Sequence, residues 1–278
     1  MNNNKLIRIS SITKKLFVAL LGAFLMVFLA FHALANLMIL RHDGGDAYSA
    51  FCHFMGSDFI KVFEVILLGS FLLHIVLTLC LWWRNRGNRP VRYKHRSRTK
   101  TAKGSKLAVI TGSLLLVCLL FHFYDFYFVK MNFVKGIYMV QTEELMVENP
   151  EVGISPEAQS ILMKAIDNHQ ISDDMKWLRN ISAEDKEVLQ QAFPNANIEP
   201  DFYHQAREKF SHWHIVLSYL LFFALVGLHV RHGFESAFQT FGLNHYRYSK
   251  LIQVLGVIYC WFVCLCFAAV PLGVFFGL

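Results

Sequence analysis

The chain has 278 residues, of which 55% are hydrophobic and only 17% are charged, and its formal net charge is +7. A water-soluble globular chain carries about 25% charged residues, so this composition excludes that class, and the 26 Phe and 10 Tyr exclude a disordered chain. Six Cys in a chain of this length do not make a disulfide scaffold. We therefore expect an integral membrane protein.

Five apolar stretches reach or approach the length of about 20 residues that a helix needs to cross a bilayer. They are residues 16–40, 62–83, 107–129, 215–230 and 251–278. The fourth is short, but its pattern continues towards Phe241, which predicts a helix that projects beyond the hydrocarbon. The first also resembles a secretory signal that ends at Ala33-Leu34-Ala35, but its apolar character continues to Leu40, which favours a retained helix.

The distribution of Lys and Arg predicts how these helices are oriented. Residues 84–106 contain ten basic residues and no acidic one, whereas residues 131–211 contain fourteen acidic and seven basic residues. The N-terminal arm is basic throughout, with Lys5, Arg8, Lys14 and Lys15. We expect five crossings, with the N-terminus in the cytoplasm and the C-terminus outside. The basic excess then reports topology, not nucleic-acid binding, and the 84–106 link can also attract anionic lipid or an acidic partner.

Residues 131–211 form the one polar insertion, between membrane helices one to three (residues 1–130) and helices four and five (residues 212–278). Patterns at residues 155–169 and 182–193 predict helices, the second with Ser182 as its N-cap. We therefore predict an all-α protein: a five-helix membrane bundle with a small extracytoplasmic helical insertion.

Four of the 13 His lie within the apolar stretches, one on each of four consecutive predicted helices: His32, His74, His122 and His229. An ionisable side chain in hydrocarbon is costly, so it usually has a partner and a function, although each His alone could be a hydrogen-bonded structural residue. Counting residues from the helix ends places His32 level with His122, and His74 level with His229. At 1.5 Å of rise per residue, the two layers are roughly 10 Å apart.

Two imidazoles at one depth suit a flat macrocycle that a helix bundle holds from both faces. Zinc favours four ligands, commonly with Cys or carboxylate, whereas bis-His ligation fills both axial positions of a haem iron and suits electron transfer. Small residues next to the ligands would let the ring approach the backbone; these are Ala33, Ala35, Gly227 and Gly233. No C-x-x-C-H motif for covalent haem is present, and no glycine-rich nucleotide motif.

With these residues the chain resembles the single-chain dihaem cytochrome b anchors of succinate dehydrogenase and menaquinone-dependent fumarate reductase. The segment His229-Val230-Arg231-His232-Gly233, followed by Phe241-Gly242, resembles the H-x-x-x-G pattern of that family, and by its spacing the ligand is His229 and not His232. His122-Phe123-Tyr124-Asp125 resembles the H-x-x-D of the third helix, and Ser10 to Lys15 resembles the entry to helix one. The resemblance covers most of the chain except residues 131–211.

The chain departs from the family at one position. Some fumarate reductases have a Glu linked to proton movement where this chain has Gly227, so we do not infer a proton pathway for this chain from the resemblance.

The resemblance implies two haems b, with His74 and His229 on the side of the catalytic subunits and His32 and His122 on the far side. It implies a flavoprotein and an iron–sulfur subunit as partners, quinone (first of all menaquinone) as substrate, and a place in the bacterial cytoplasmic membrane among its lipids. It leaves open a dimer of the whole complex. This chain would be the quinone-reactive subunit of a succinate:quinone oxidoreductase, with no dicarboxylate chemistry of its own.

The sequence identifies the residues that would exchange protons with quinone less clearly than the haem ligands. Asp58, Glu64 and Asp125 are candidates, and each is equally well explained as a solvated carboxylate at a helix end. Ser11 and Lys15 are candidates to hold a haem propionate or quinone, or else to cap the helix and set topology. Two other classes stay open: a cytochrome b of the hydrogenase or formate dehydrogenase type, and a haem-free transporter or proton channel.

Overall fold

The computed structural model of the protein describes residues 10–87, 101–146, 155–172, 175–243 and 245–278. The basic N-terminal residues Lys5 and Arg8, and most of the basic 84–106 link, lie outside these ranges.

The helices include five long ones and several short ones between them. In chain order they are α1 (Ser11–Asn36, extended by a 3₁₀ turn at Leu37–Leu40), α2 (Asp46–Met55), α3 (Asp58–Gly87), α4 (Thr101–His122), α5 (Phe128–Lys130, after a π-helical turn at Phe123–Tyr127), α6 (Thr142–Met146), α7 (Pro156–Asp167), α8 (Ala183–Ala192), α9 (Phe202–Phe210), α10 (Trp213–Thr240) and α11 (Ser249–Phe275).

Five segments are long and apolar enough to cross a membrane: Ser11–Leu40, Asp58–Arg86, Leu107–Lys130, Trp213–Thr240 and Ser249–Phe275. The mean hydropathy of their best windows lies between 1.9 and 2.5, and at most 28% of the residues in such a window are buried. Apolar side chains that point away from the protein are what a lipid environment allows and water does not. The prediction of five spans is confirmed, and the chain is a multi-pass membrane protein by this criterion.

The fourth span is longer than its most apolar part, as its pattern predicted. The helix α10 continues to Thr240, and Gly242 follows with a φ of +75°, a left-handed conformation that glycine adopts without strain. The amide of Leu243 donates to the carbonyl of Phe238 at 3.0 Å, which closes the helix end. The aromatic-glycine pair at Phe241-Gly242 therefore terminates this helix.

The insertion, predicted as helical, is helical only in part. Besides its helices, it contains a three-stranded antiparallel sheet in the order β2-β1-β3, with β1 at Tyr138–Gln141, β2 at Trp177–Ile181 and β3 at Glu199–Pro200. Strands of two to five residues are too short for an alternating pattern to reveal them. The two predicted helices are present as α7 and α8, and the hydroxyl of Ser182 accepts from the amide of Asp185 at 3.1 Å, as an N-cap does.

The chain divides into two compact units. The first comprises the described residues within Met1–Ala35, Asp58–Leu116 and Leu220–Ala268, and the second those within Asn36–Ser57, Val117–Tyr219 and Ala269–Leu278. The second unit has a core like that of a soluble domain, in which Val140 and Leu189 are fully buried and Phe193 is nearly so. It is larger than the insertion, because the segment that follows the first span folds with it.

A buried arginine ties that segment to the insertion. Arg179 of β2 donates to the carbonyl of Gly44 at 2.8 Å and forms an ion pair with Asp46. Gly45 has a φ of +92° and lies so close to Tyr203 that a Cβ would approach the ring to 2.5 Å. Residues that follow the first span therefore contact residues that follow the third, so both segments must lie on the same side of a membrane. The predicted alternation of the spans also places them on one side.

Candidate functional site

His74 of α3 lies against the N-terminal half of α1. A Cβ on Gly22 would be 3.4 Å from Cε1 and 3.8 Å from Nδ1 of the imidazole, so the absence of a side chain lets the ring sit against this helix. The backbone of Val18, one turn earlier, is close enough to interact with the same ring. The Nδ1 edge of His74 is thus directed to α1, and the ring is held there by a glycine.

His229 of α10 lies against α4 in the same manner. A Cβ on Gly112 would be only 3.0 Å from Cε1 of His229, closer than such contacts normally are. The hydroxyl of Thr111 is 3.4 Å from Nδ1 of His229 and donates its own hydrogen to the carbonyl of Leu107 at 2.9 Å. Because that hydrogen is already used, Thr111 accepts from Nδ1, and the unprotonated nitrogen of His229 is Nε2.

The two imidazoles form a pair within the first unit. His74 and His229 are close enough to interact electrostatically, while their Nδ1 edges face different spans. A metal-binding His usually directs one ring nitrogen to a supporting group, which fixes the tautomer, and coordinates through the other. His229 meets this requirement through Thr111, whereas His74 is placed by its packing against Gly22. The sequence did not single out Gly22 and Gly112, although each precedes a predicted ligand on its own helix, His32 and His122, by ten residues.

The small residues that were expected next to the ligands have different environments. Gly227 serves helix packing, since a Cβ there would be 2.8 Å from the sulfur of Cys264 on α11, whose thiol donates to the carbonyl of Phe223. A Cβ on Gly233 would meet nothing within 4 Å. Ala33, next to His32, is fully buried.

His32 is surrounded by aromatic rings of the first unit. It stacks on Phe28 one turn earlier, with centroids 5.3 Å apart, and contacts Phe267 of α11 at 5.7 Å. Flat apolar neighbours of this kind restrict the rotation of the imidazole.

His122 lies at the end of α4, where the π-helical turn begins, and it belongs to the second unit. Its ring is 5.3 Å from that of Phe126 and 6.2 Å from that of Tyr219. The hydroxyl of Tyr219 donates to a carboxylate oxygen of Asp125 at 3.0 Å, and the ammonium of Lys209 pairs with the other oxygen at 3.0 Å. Asp125 is therefore a paired carboxylate with a side chain that is only 14% exposed, next to the environment of a predicted ligand.

The remaining candidate residues lie in more open positions. The carboxylate of Asp58 is 95% exposed and pairs with Lys61 at 2.7 Å, as expected of a solvated helix-end residue. Glu64 is half-buried on α3. Ser11 and Lys15 are exposed, and the N-cap of α1 is supplied by the preceding residue, since the hydroxyl of Ser10 accepts from the amide of Thr13 at 3.1 Å.

A second group of polar residues, which sequence reasoning missed, lies in the second unit. The carboxylate of Glu199 on β3 accepts from Nδ1 of His53 on α2 at 2.7 Å, and Nε2 of His53 accepts from the amide of Gln141 at 3.1 Å. Burial raises the pKa of Glu199, although His53 acts in the opposite direction. The ring of Trp177 contacts His53 edge-on at 5.3 Å. In sequence His53 and Glu199 are 146 positions apart, and no motif connects them.

No group of three or more His, Cys, Asp or Glu side chains that could hold a metal ion occurs within the described ranges. A metal ion that is bound by protein alone generally needs that many ligands, whereas a haem iron needs only two axial ones. The six Cys are all free thiols in the described part of the chain.

Comparison with protein-family models, with curated proteins and with solved structures finds no match for this chain.

Proposed function

We propose that this protein is a dihaem cytochrome b that anchors a succinate:quinone oxidoreductase in the membrane and passes electrons between an iron–sulfur subunit and quinone. The observation that carries the proposal is the pairing of His74 and His229, each held by a glycine or a threonine of another span. Two neighbouring imidazoles from separate helices are the protein part of a bis-His haem site.

The residues fit the group that the sequence implies. His74 and His229, both of the first unit, would hold one haem b. The assignment of His32 and His122 to the other haem rests on the resemblance of the sequence alone. Gly22 and Gly112 keep the first two imidazoles against α1 and α4, because a side chain at Gly112 would displace the ring of His229. When bound, a six-coordinate haem b accepts and donates single electrons without an open site for oxygen.

The roles of the protein groups follow from their contacts. Thr111 fixes the tautomer of His229 and so leaves Nε2 as the coordinating nitrogen. Phe28 and Phe267 enclose the imidazole of His32 in an apolar environment. Asp125, paired with Lys209 and Tyr219, adds no uncompensated charge near His122. The catalytic flavoprotein and the iron–sulfur subunit would bind on the basic, cytoplasmic side, where the charge of the 84–106 link steers an acidic partner.

The test is a dithionite-reduced spectrum of the purified protein together with a pyridine haemochrome assay. We expect b-type bands, two haems per chain and no carbon monoxide complex of the reduced protein. A colourless protein would contradict the proposal and would favour a transporter. Two haems in a chain that co-purifies with a hydrogenase or formate dehydrogenase subunit would favour the other cytochrome class.

A further inference from the structure

The hydroxyl group of Thr78 on α3 is buried in the first unit and has no hydrogen-bond partner among the described residues. A threonine in a helix commonly donates to the carbonyl one turn earlier, as Thr111 of α4 does to Leu107 at 2.9 Å. A buried hydroxyl without a partner is unfavourable. We therefore expect a group from outside the chain to satisfy the hydroxyl of Thr78.

Thr78 lies one helical turn after His74, on the same face of α3. Residues four apart in a helix project from one side, and on that side the imidazole of His74 packs against Gly22 and interacts with His229. The face that carries His74 is therefore the face that a haem held by this pair would contact. Ser70 lies one turn before His74, so a hydroxyl residue flanks the proposed ligand in each direction along the helix.

The chemistry of haem b limits which group could be the partner of a buried hydroxyl. The edge of the macrocycle carries methyl, vinyl and propionate side chains, and only the propionate carboxylates are strong hydrogen-bond acceptors. A hydrogen bond to a carboxylate is also stronger than one between neutral groups. A hydroxyl next to the ring can therefore donate to one kind of group.

The depth of Thr78 is more favourable for a carboxylate than that of Ser70. The span extends over Asp58–Arg86, so Ser70 is near its centre, where a charge is most costly. Thr78 is six residues before Arg84, which is about 9 Å along the helix axis, and Arg84 is exposed at that end of α3. A carboxylate that reaches Thr78 is thus closer to water and to cations.

We propose that the hydroxyl of Thr78 donates a hydrogen bond to a propionate carboxylate of the haem b held by His74 and His229. The inference rests on the proposed function and adds a binding residue to the same site. It also orients the ring, since the propionate edge must then face the basic end of α3 and not the centre of the span. Thr111 does not share this role, because its hydrogen is already donated to Leu107.

The test compares variants of the full-length protein, purified with its haem in lipid nanodiscs. Resonance Raman spectroscopy detects the bending vibration of the propionates, and transfer to apomyoglobin measures how firmly each haem is held. Thr78→Val keeps the volume and removes the hydroxyl. We expect its propionate band to shift and one of the two haems to leave about tenfold faster, the scale of one hydrogen bond to a charged group. Thr78→Ser retains the hydroxyl and should behave as wild type.

Ser70→Ala is the matched control, because Ser70 is as far from His74 along the helix as Thr78 is, in the opposite direction. This variant should have the propionate band and the transfer rates of the wild type. A changed band in Ser70→Ala, together with an unchanged one in Thr78→Val, would overturn the inference, since the propionates would then face the centre of the span.

The outcomes separate this inference from the proposed function. A wild-type protein without haem would contradict the proposed function and this inference with it. If the protein binds both haems and Thr78→Val has the wild-type band and rates, only the inference is overturned. If Thr78→Val binds a single haem, Thr78→Ser decides: two haems in the Ser variant support the hydrogen bond, and one haem shows that the side chain acts through its volume, which overturns it.

Discussion

The two units of this protein place their candidate functional residues in opposite kinds of environment. In the first unit, His74 and His229 lie among apolar side chains, and a single hydroxyl or glycine determines how each imidazole sits. In the second unit, polar groups are numerous and satisfy one another: the fully buried carboxylate of Asp201 accepts from the amide of Asn180 and from the ring and amide of His204. A polar residue is therefore conspicuous in one unit and ordinary in the other.

The largest expected effect concerns the imidazole pair. If the proposed function holds, replacing His74 or His229 with Ala should reduce haem from two per chain to one, because each change removes a proposed axial ligand. His232 lies on the same helix and is half-buried, so His232→Ala is the matched control and should retain both haems. Pyridine haemochrome assays of the three variants measure this. If the His232 variant lost a haem while the His229 variant kept both, the ligand assignment would be wrong.

The next effect concerns the second unit, where stability depends on a network. Arg179 is 4% exposed, and its removal leaves the carbonyl of Gly44 and the carboxylate of Asp46 without their partner. The side chain of Asp46 is 35% exposed and can be solvated, so the loss is mainly that of charged hydrogen bonds and costs about 2 kcal/mol. Arg179→Met should therefore speed hydrogen exchange in β1 and β2 by roughly 30-fold if the unit opens cooperatively.

The exposed Lys164 of α7 provides the control for that measurement. Lys164→Met should leave exchange in β1 and β2 unchanged. Equal exchange in the Arg179 and Lys164 variants would mean that the arginine does not stabilise the second unit.

A smaller effect tests how tightly the first unit fits its imidazoles. In Gly112→Ala the new methyl would be 3.0 Å from Cε1 of His229, so the ring must shift, and overpacking of this kind costs about 1–3 kcal/mol. We expect haem transfer to apomyoglobin to become roughly tenfold faster. Gly69→Ala on α3 is the control, because a Cβ there meets nothing within 4 Å. Equal rates for the two variants would show that Gly112 does not support a haem ligand.

The smallest expected effect concerns the loss of a surface ion pair of the second unit. Lys135 is 2.9 Å from Glu184 and lowers the pKa of that carboxyl below its ordinary value of 4.5. The pair therefore stabilises the folded state above that value, and this contribution is lost as the pH falls through the lowered pKa. In Lys135→Met the pKa of Glu184 should return towards 4.5, as measured by carboxyl-selective NMR. The difference should shrink in high salt, and a pKa that does not move would exclude the pair.

The sequence predicted the membrane spans because hydrophobic length is a strong signal, and it selected the four His because an imidazole in an apolar helix is unusual. It missed the roles of Gly22 and Gly112, since glycine is common in membrane helices and only the distance to an imidazole distinguishes these two. It also missed Glu199 and His53, which come together only because β3 and α2 fold into one unit. The short strands left no periodicity to read, so the insertion was predicted as helical.

The contact between Arg179 and Asp46 also constrains how the protein is made. These partners are 133 residues apart, and at about 5–20 residues per second a ribosome needs roughly 7 to 27 seconds to synthesise the chain between them. During that interval two more spans must enter the bilayer, and the segment around α2 lacks the strand that contacts it. In a nascent chain stopped before β2, Gly44 and Asp46 would therefore lack the arginine that contacts them in the folded protein.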